Sequence, residues 1–190
     1  ISPDGKTIVF TACQELDGYG ENRMGYGSCD LFYITKTGNK WSSPTNLGNV
    51  VNSSSWETQP SFSSDGQTLY FVSNRPGGFG KGDIWKTTLK DNSTWTIPEN
   101  LGANINTEKD ENSVFIHSDN QSLYFTSNGR IGMGNYDLYM SRSADNSTWE
   151  EAINLGYPIN SYKNESNIMV STDGKKVYFA SNRTSNNEGG

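Results

Sequence analysis

The tripeptide Asn-Leu-Gly occurs at 46–48, 100–102 and 154–156, with 54 residues between successive copies. The same step separates Trp41, Trp95 and Trp149, then Asn52, Asn106 and Asn160, then Glu57, Glu111 and Glu165. The aspartates Asp65, Asp119 and Asp173 keep it too, while Asp4 stands 61 residues before Asp65. Phe10 and Asp30 are 20 residues apart, where Phe71–Asp83 and Phe125–Asp137 are each 12 apart, so the first unit carries an insertion. A period of this length marks a repeat architecture, in which each unit is one supersecondary structure stacked on its copies.

Residues 57–97 give the unit in full. "ETQPSFS" reads as a first strand, with Gln59, Ser61 and Ser63 alternating against Pro60 and Phe62. "SDG" is a tight turn, since Asp bonds its own downstream backbone and Gly accepts positive φ. "TLYFVSN" is a second strand of β-branched and aromatic residues. "RPGGFGKG" is a Gly-rich connection, "DIWKTTL" a third strand, "KDNS" a turn and "TWTIP" a fourth, outer strand. "ENLGANINTEKD" then crosses to the next unit. The second strand is apolar on both faces, Leu69 and Phe71 on one and Tyr70 and Val72 on the other. A strand of that kind lies between two layers. No segment holds the i, i+3, i+4, i+7 spacing of an amphipathic helix, and β-solenoid repeats are usually shorter, near 20–30 residues. The expected fold is all-β: four-stranded antiparallel blades of a β-propeller. The expected units are an incomplete blade at 1–47, blades at 57–101 and 111–155, and an incomplete blade at 165–190.

Composition agrees. Hydrophobic residues are 32% of the chain, yet aromatics are 12% and glycines number 20, the balance of many short strands with Gly-rich turns. The net charge is −6 and no Lys/Arg cluster appears, which argues against nucleic acid as a partner. No run of about 18 apolar residues is present to cross a bilayer as a helix.

The pattern S-x-D-G-x-x-[LVI]-[YV]-F-x-S-N-R, then a Gly-rich stretch, then D-[IL]-[WY], resembles the WD-like propeller repeats of TolB. It is more similar still to the variants in OmpA-family envelope proteins of Bacteroidota-type bacteria, and it covers nearly the whole chain. Propellers of this kind commonly have six or more blades. The resemblance therefore implies that these residues form part of a larger polypeptide or complex. An open arc would leave two apolar blade faces exposed.

Residues that recur in every blade are expected to be architecture, because a ligand site on a propeller normally breaks the symmetry. By that criterion the turn aspartates stabilise turns. They are not a sialidase Asp-box, whose S-x-D-x-G spacing fails here. Glu57, Glu111 and Glu165 open the innermost strands. Two readings stand: an acidic ring in the channel for a cation or basic peptide, or capping of backbone groups and pairing with Arg. Asp30, Asp83 and Asp137 are placed to pair with Arg75, Arg130 and Arg183 across the Gly-rich loop. "GGFGKG" is not a phosphate loop, since a strand follows where a helix is required.

The insertion at 11–29 breaks the symmetry. It carries Glu15, Asp17, Glu21, Tyr19 and Tyr26, and the two tyrosines are candidate contact residues. Cys13 and Cys29 stand at its ends, either disulfide-bonded or as free thiols. A bond would close a loop of about 15 residues and contribute ~3 kcal/mol. It would suggest an oxidising compartment such as the periplasm. Metal ligation is not expected: His117 is the lone histidine, at a position held by Ser63 and Ser171 in sister repeats. No cofactor motif and no G-x-S-x-G elbow is present. The expected function is a non-enzymatic binding or scaffold propeller of the periplasm or outer-membrane surface, with protein or glycan as partner. The resemblance implies an OmpA-like or PorE-like setting, of the type IX secretion kind. The alternatives are a glycan-active propeller enzyme of glycosidase or sialidase type, and the propeller of a peptidase whose catalytic part lies elsewhere.

Overall fold

The structure is a computed structural model and describes residues 1–14, 24–91, 94–145 and 147–184. The described residues form no helix. They form four antiparallel sheets in chain order.

In the first sheet β1 (Thr7–Cys13) pairs with β2 (Cys29–Thr37), and β2 pairs with the short β3 (Lys40–Trp41) and β4 (Thr45–Asn46). The second runs β5 (Glu57–Phe62), β6 (Thr68–Ser73) and β7 (Asp83–Lys90), with β8 (Thr94–Trp95) and β9 (Glu99–Asn100) both on β7. The third runs β10 (Glu111–Ile116), β11 (Ser122–Ser127), β12 (Asp137–Arg142) and β13 (Ile153–Asn154). The fourth is the hairpin β14 (Glu165–Val170) and β15 (Val177–Ser181).

Two features differ from the sequence reading. The outer strand expected at "TWTIP" is two short pieces, β8 and β9, and the second lies beyond Pro98. Proline cannot donate to the ladder, so pairing stops at Ile97–Pro98 and resumes at Glu99. The even alternation expected along 57–63 also fails. The register between β5 and β6 shifts between Thr58 and Ser61, with Gln59 at a φ of 55°. The same irregularity recurs in β14, with Asn167 at 51°. It is a bulge that adds a residue and turns the following side chains.

The sheets stack face to face. Leu69, Phe71 and Trp85 of the second sheet pack with Val9 and Leu31 of the first, sealed by Val51 of the crossover. Tyr70, Val72 and Ile84, on the opposite face, pack with Val114, Ile116, Leu123, Phe125 and Trp149 of the third, sealed by Ile105. Leu138, Phe115 and Tyr124 meet Ile168, Val170 and Phe179 of the fourth. Leu69, Phe71, Val72 and Ile84 are all fully buried, so β6 and β7 lie between two layers as the apolar pattern requires. Each such side chain contributes roughly 1.5–3 kcal/mol by leaving water. The glycines of the "SDG" turns take positive φ, 70° at Gly66 and 67° at Gly174, and Asn120 takes 58° in the third copy. Asx and Gly residues tolerate that conformation.

Candidate functional site

Glu57 pairs with Ser73, and Ser73 with Asp83, so the start of the first strand, the end of the second and the start of the third meet at one end of each blade. The Gly-rich loops and the crossovers gather there. Three recurring side chains make that end rigid.

The first is the crossover asparagine. The Leu31 N–H donates to Asn52 Oδ1 at 2.8 Å, and Asn52 Nδ2 donates to Leu31 O at 2.9 Å and to Asn46 Oδ1 at 2.7 Å. Asn106 treats Ile84 and Asn100 in the same way, as Asn160 does Leu138 and Asn154. A side-chain amide here replaces a strand neighbour, satisfying a buried N–H and C=O together.

The second is the glutamate. Glu57, Glu111 and Glu165 are fully buried. Glu57 accepts from Ser53 N–H at 2.9 Å, Ser53 Oγ at 2.6 Å, Ser73 Oγ at 2.8 Å and Arg75 at 3.1 Å. Glu111 accepts from the Thr107 N–H and Oγ1 and from Ser127 Oγ, and Glu165 from the Ser161 N–H and Oγ and Ser181 Oγ. Of the two readings of these carboxylates, capping of backbone groups with pairing to Arg matches their contacts: they lie inside the blades, tying each crossover to the first and second strands. Burial pushes the Glu111 carboxyl above its ordinary value, against the bonds from Ser127 and Thr107. For Glu165 burial acts in the same direction, but the Ser161 and Ser181 bonds and the Arg183 charge outweigh it and the value falls.

The third is the aspartate before the third strand. Asp30 accepts from the Tyr26 and Gly27 N–H groups at 2.7 and 3.1 Å, Asp83 from Phe79 and Gly80, and Asp137 from Met133 and Gly134. The Gly-rich loop is an anion cradle filled by the chain's own carboxylate. Glycine is required at its closest approach: a Cβ on Gly78 would fall 1.8 Å from Asp83 Oδ2. The expected pairing of these aspartates with Arg75 and Arg183 is corrected. Arg75 binds Glu57 at 3.1 Å, and Arg183 Nε lies 3.8 Å from Glu165. The aspartates are already occupied by loop N–H groups, and the arginines turn inward to the buried glutamates.

These locks present one exposed apolar residue at matching positions: Tyr26, Phe79 and Met133, each about half exposed. Met24, Ile131, Tyr157 and Tyr162 are exposed on the same end. Tyr19, expected beside Tyr26, lies outside the described residues, as do Glu15, Asp17 and Glu21. Cys13 and Cys29 face each other in the β1–β2 register and are disulfide-bonded. The turn aspartates sit at the opposite end. Asp65 accepts from Ser63 Oγ and the Gln67 N–H, and Asp173 from Ser171 Oγ and the Lys175 N–H. His117 is there too, with Nε2 3.1 Å from Ser171 O of the fourth sheet. Among the described residues no group of three or more His, Cys, Asp or Glu is placed to hold a metal ion.

Sequence reasoning missed the break in the third blade. "SNR" at 73–75 and 181–183 becomes "SNGR" at 127–130. By the 54-residue step Gly129 takes the place of Arg75 and Arg130 that of Pro76, so the arginine stands off Glu111 and its Nη2 donates to Asn104 O at 2.7 Å. Among the described residues Glu111 has no ion pair. The exchange was visible in the sequence, but counting Arg130 as a repeat of Arg75 hid it. Between the second and third blades at this end lies a cleft of about 730 Å³, lined by Phe79, Lys109, Arg130, Ile131, Tyr139 and Asn154 among others.

No protein-family model matches the chain, and no curated protein matches it. Solved structures do. A protein of Agrobacterium tumefaciens described as TolB is 21% identical over 95% of this chain and 52% of its own, with a TM-score of 0.60. The tricorn protease is 13% identical over 96% of this chain and 20% of its own, with a TM-score of 0.51. TolB of Acinetobacter baumannii is 15% identical over 92% of this chain and 46% of its own, with a TM-score of 0.46. The fold is that of a TolB-type β-propeller. The chain spans about half the length of the Agrobacterium protein it matches.

Proposed function

We propose that the chain is a non-enzymatic binding and scaffold propeller of a bacterial cell envelope, facing an oxidising compartment and engaging a polypeptide with its Gly-rich-loop end. One observation carries the reading. Tyr26, Phe79 and Met133 are held out at equivalent places by loops whose N–H groups are pinned to buried aspartates. Apolar side chains on a preorganised surface lose little entropy on binding, and clustered exposed apolar residues mark interaction sites. The Cys13–Cys29 bond supports the periplasm as the compartment. The resemblance to OmpA-family and PorE-like propellers supports work close to the outer membrane.

The 190 residues serve within a larger ring. Met169 and Tyr178 of the fourth sheet are exposed, while their counterparts Phe115 and Tyr124 pack against the next blade. Further blades of the same design fit that face.

The test is site-specific photocrosslinking in the source cell, with the crosslinker at Phe79 or Met133 and, as control, at Gln67 on the opposite end. Discrete protein adducts from Phe79 and Met133 and none from Gln67 support the reading. Adducts independent of position, or none from the Gly-rich-loop end, overturn it.

A further inference from the structure

We propose that the cleft between the second and third blades binds a carboxylate carried next to an apolar side chain, as at the C-terminus of a peptide, with Arg130 as its anchor. This rests on the binding reading above and gives it a ligand chemistry.

The argument is a comparison of three copies. Arg75 is saturated: Nε donates to Ser73 Oγ, Nη2 to Val51 O and Glu57, and the guanidinium lies 5.0 Å from the Phe71 ring and 5.4 Å from Trp85. Arg183 repeats this with Ser181, Pro158 O and Ile159 O, over Phe179. Arg130 keeps only the carbonyl contacts, to Asn104 O and Ala103 O. Its Nε is buried with no hydrogen-bond partner among the described residues. The displacement is built in. A Cβ at Gly129 would fall 1.9 Å from Thr107 Oγ1, so only glycine fits there, beside the threonine that holds Glu111.

A second side chain in the same cleft also departs from its counterparts. Asn46 Nδ2 donates to Asp30 at 2.8 Å and Asn100 Nδ2 to Asp83 at 3.2 Å. Asn154 Nδ2, their counterpart, turns from the aspartate to the Tyr139 hydroxyl. A buried cationic donor without an acceptor among the described residues lines the cleft. Such groups are costly unless something accepts from them. A guanidinium already oriented by Asn104 O suits a carboxylate. Phe79 and Ile131, both exposed, supply an apolar wall for the neighbouring side chain. Glu108 and Glu151 also line the cleft and are exposed to solvent, where their repulsion is screened.

The experiment follows the Arg130 Nε–H signal by NMR while N-acetyl-L-phenylalanine, its amide, or free phenylalanine is added to the protein. The proposal predicts a saturable shift with N-acetyl-L-phenylalanine and none with the amide. Arg130→Lys and Arg130→Gln, which lack that Nε–H and are read from the Ile131 methyl shift, each weaken binding at least tenfold. The Tyr70–Trp149 ring contact reports that the blades stay stacked. Free phenylalanine binding more tightly than the acetylated form assigns the site to amino acids; the reverse assigns it to peptide ends. Equal shifts with acid and amide, or unchanged binding in folded Arg130→Lys, overturn the proposal. Crosslinking from Phe79 would survive that failure, so the two readings fail separately.

Discussion

At the residue scale, Asn52, Asn106 and Asn160 substitute an amide side chain for a missing strand. Asn106 shows what that is worth. Asn106→Ala leaves the buried Ile84 N–H without its partner, while Ile84 O keeps the Leu101 N–H. An unsatisfied buried group costs about 1–3 kcal/mol. Urea unfolding is expected to show a loss in that range for Asn106→Ala, and a loss within error of zero for the exposed Gln121→Ala would set the baseline. The recurrence of this asparagine was legible in the sequence, but its role was not, because its partners lie 22 residues away in another element. The turn aspartates were legible in both position and role, since every bond they make is local. Asp119 accepts from the Gln121 and Ser122 N–H groups and Ser122 Oγ, and these bonds with His117 outweigh partial burial to hold it down to about 2.

At the element scale, the insertion between β1 and β2 is tied at its base. Cys13 and Cys29 are the last and first residues of paired strands. Their bond encloses about 15 residues, a closure worth ~3 kcal/mol. The Cys13→Ser, Cys29→Ser double variant is expected to lose stability of that order, read as a lower urea midpoint. A midpoint equal to the parent's would show that the closure contributes nothing. Strand order and turn positions were readable because strand chemistry and "SDG" turns are local signals. The split outer strand and the bulge at Gln59 were not, since pairing register depends on the partner strand. The glycine at 129, in the place of Arg75, mattered more than either. It moved one arginine from a buried carboxylate to a cleft.

At the scale of the whole molecule, the period of 54 residues was the decisive signal, and it needed no tertiary knowledge. Each sheet exposes apolar side chains on two faces, and only a copy of itself offers a matching surface. The candidate surface was harder to read: Tyr26, Phe79 and Met133 have no common residue type, and only the aspartate four positions later reveals that they are equivalent. Everything at the Gly-rich-loop end depends on the blades lying side by side. The most direct measurement is the proton contact between the Tyr70 ring of the second blade and the Trp149 indole of the third, whose centroids are 6.2 Å apart and edge to face. Radial stacking predicts a strong nuclear Overhauser effect between them in the native protein. Its absence from a folded, fully assigned spectrum would mean that the repeats do not lean on one another, and the propeller account would fall with it.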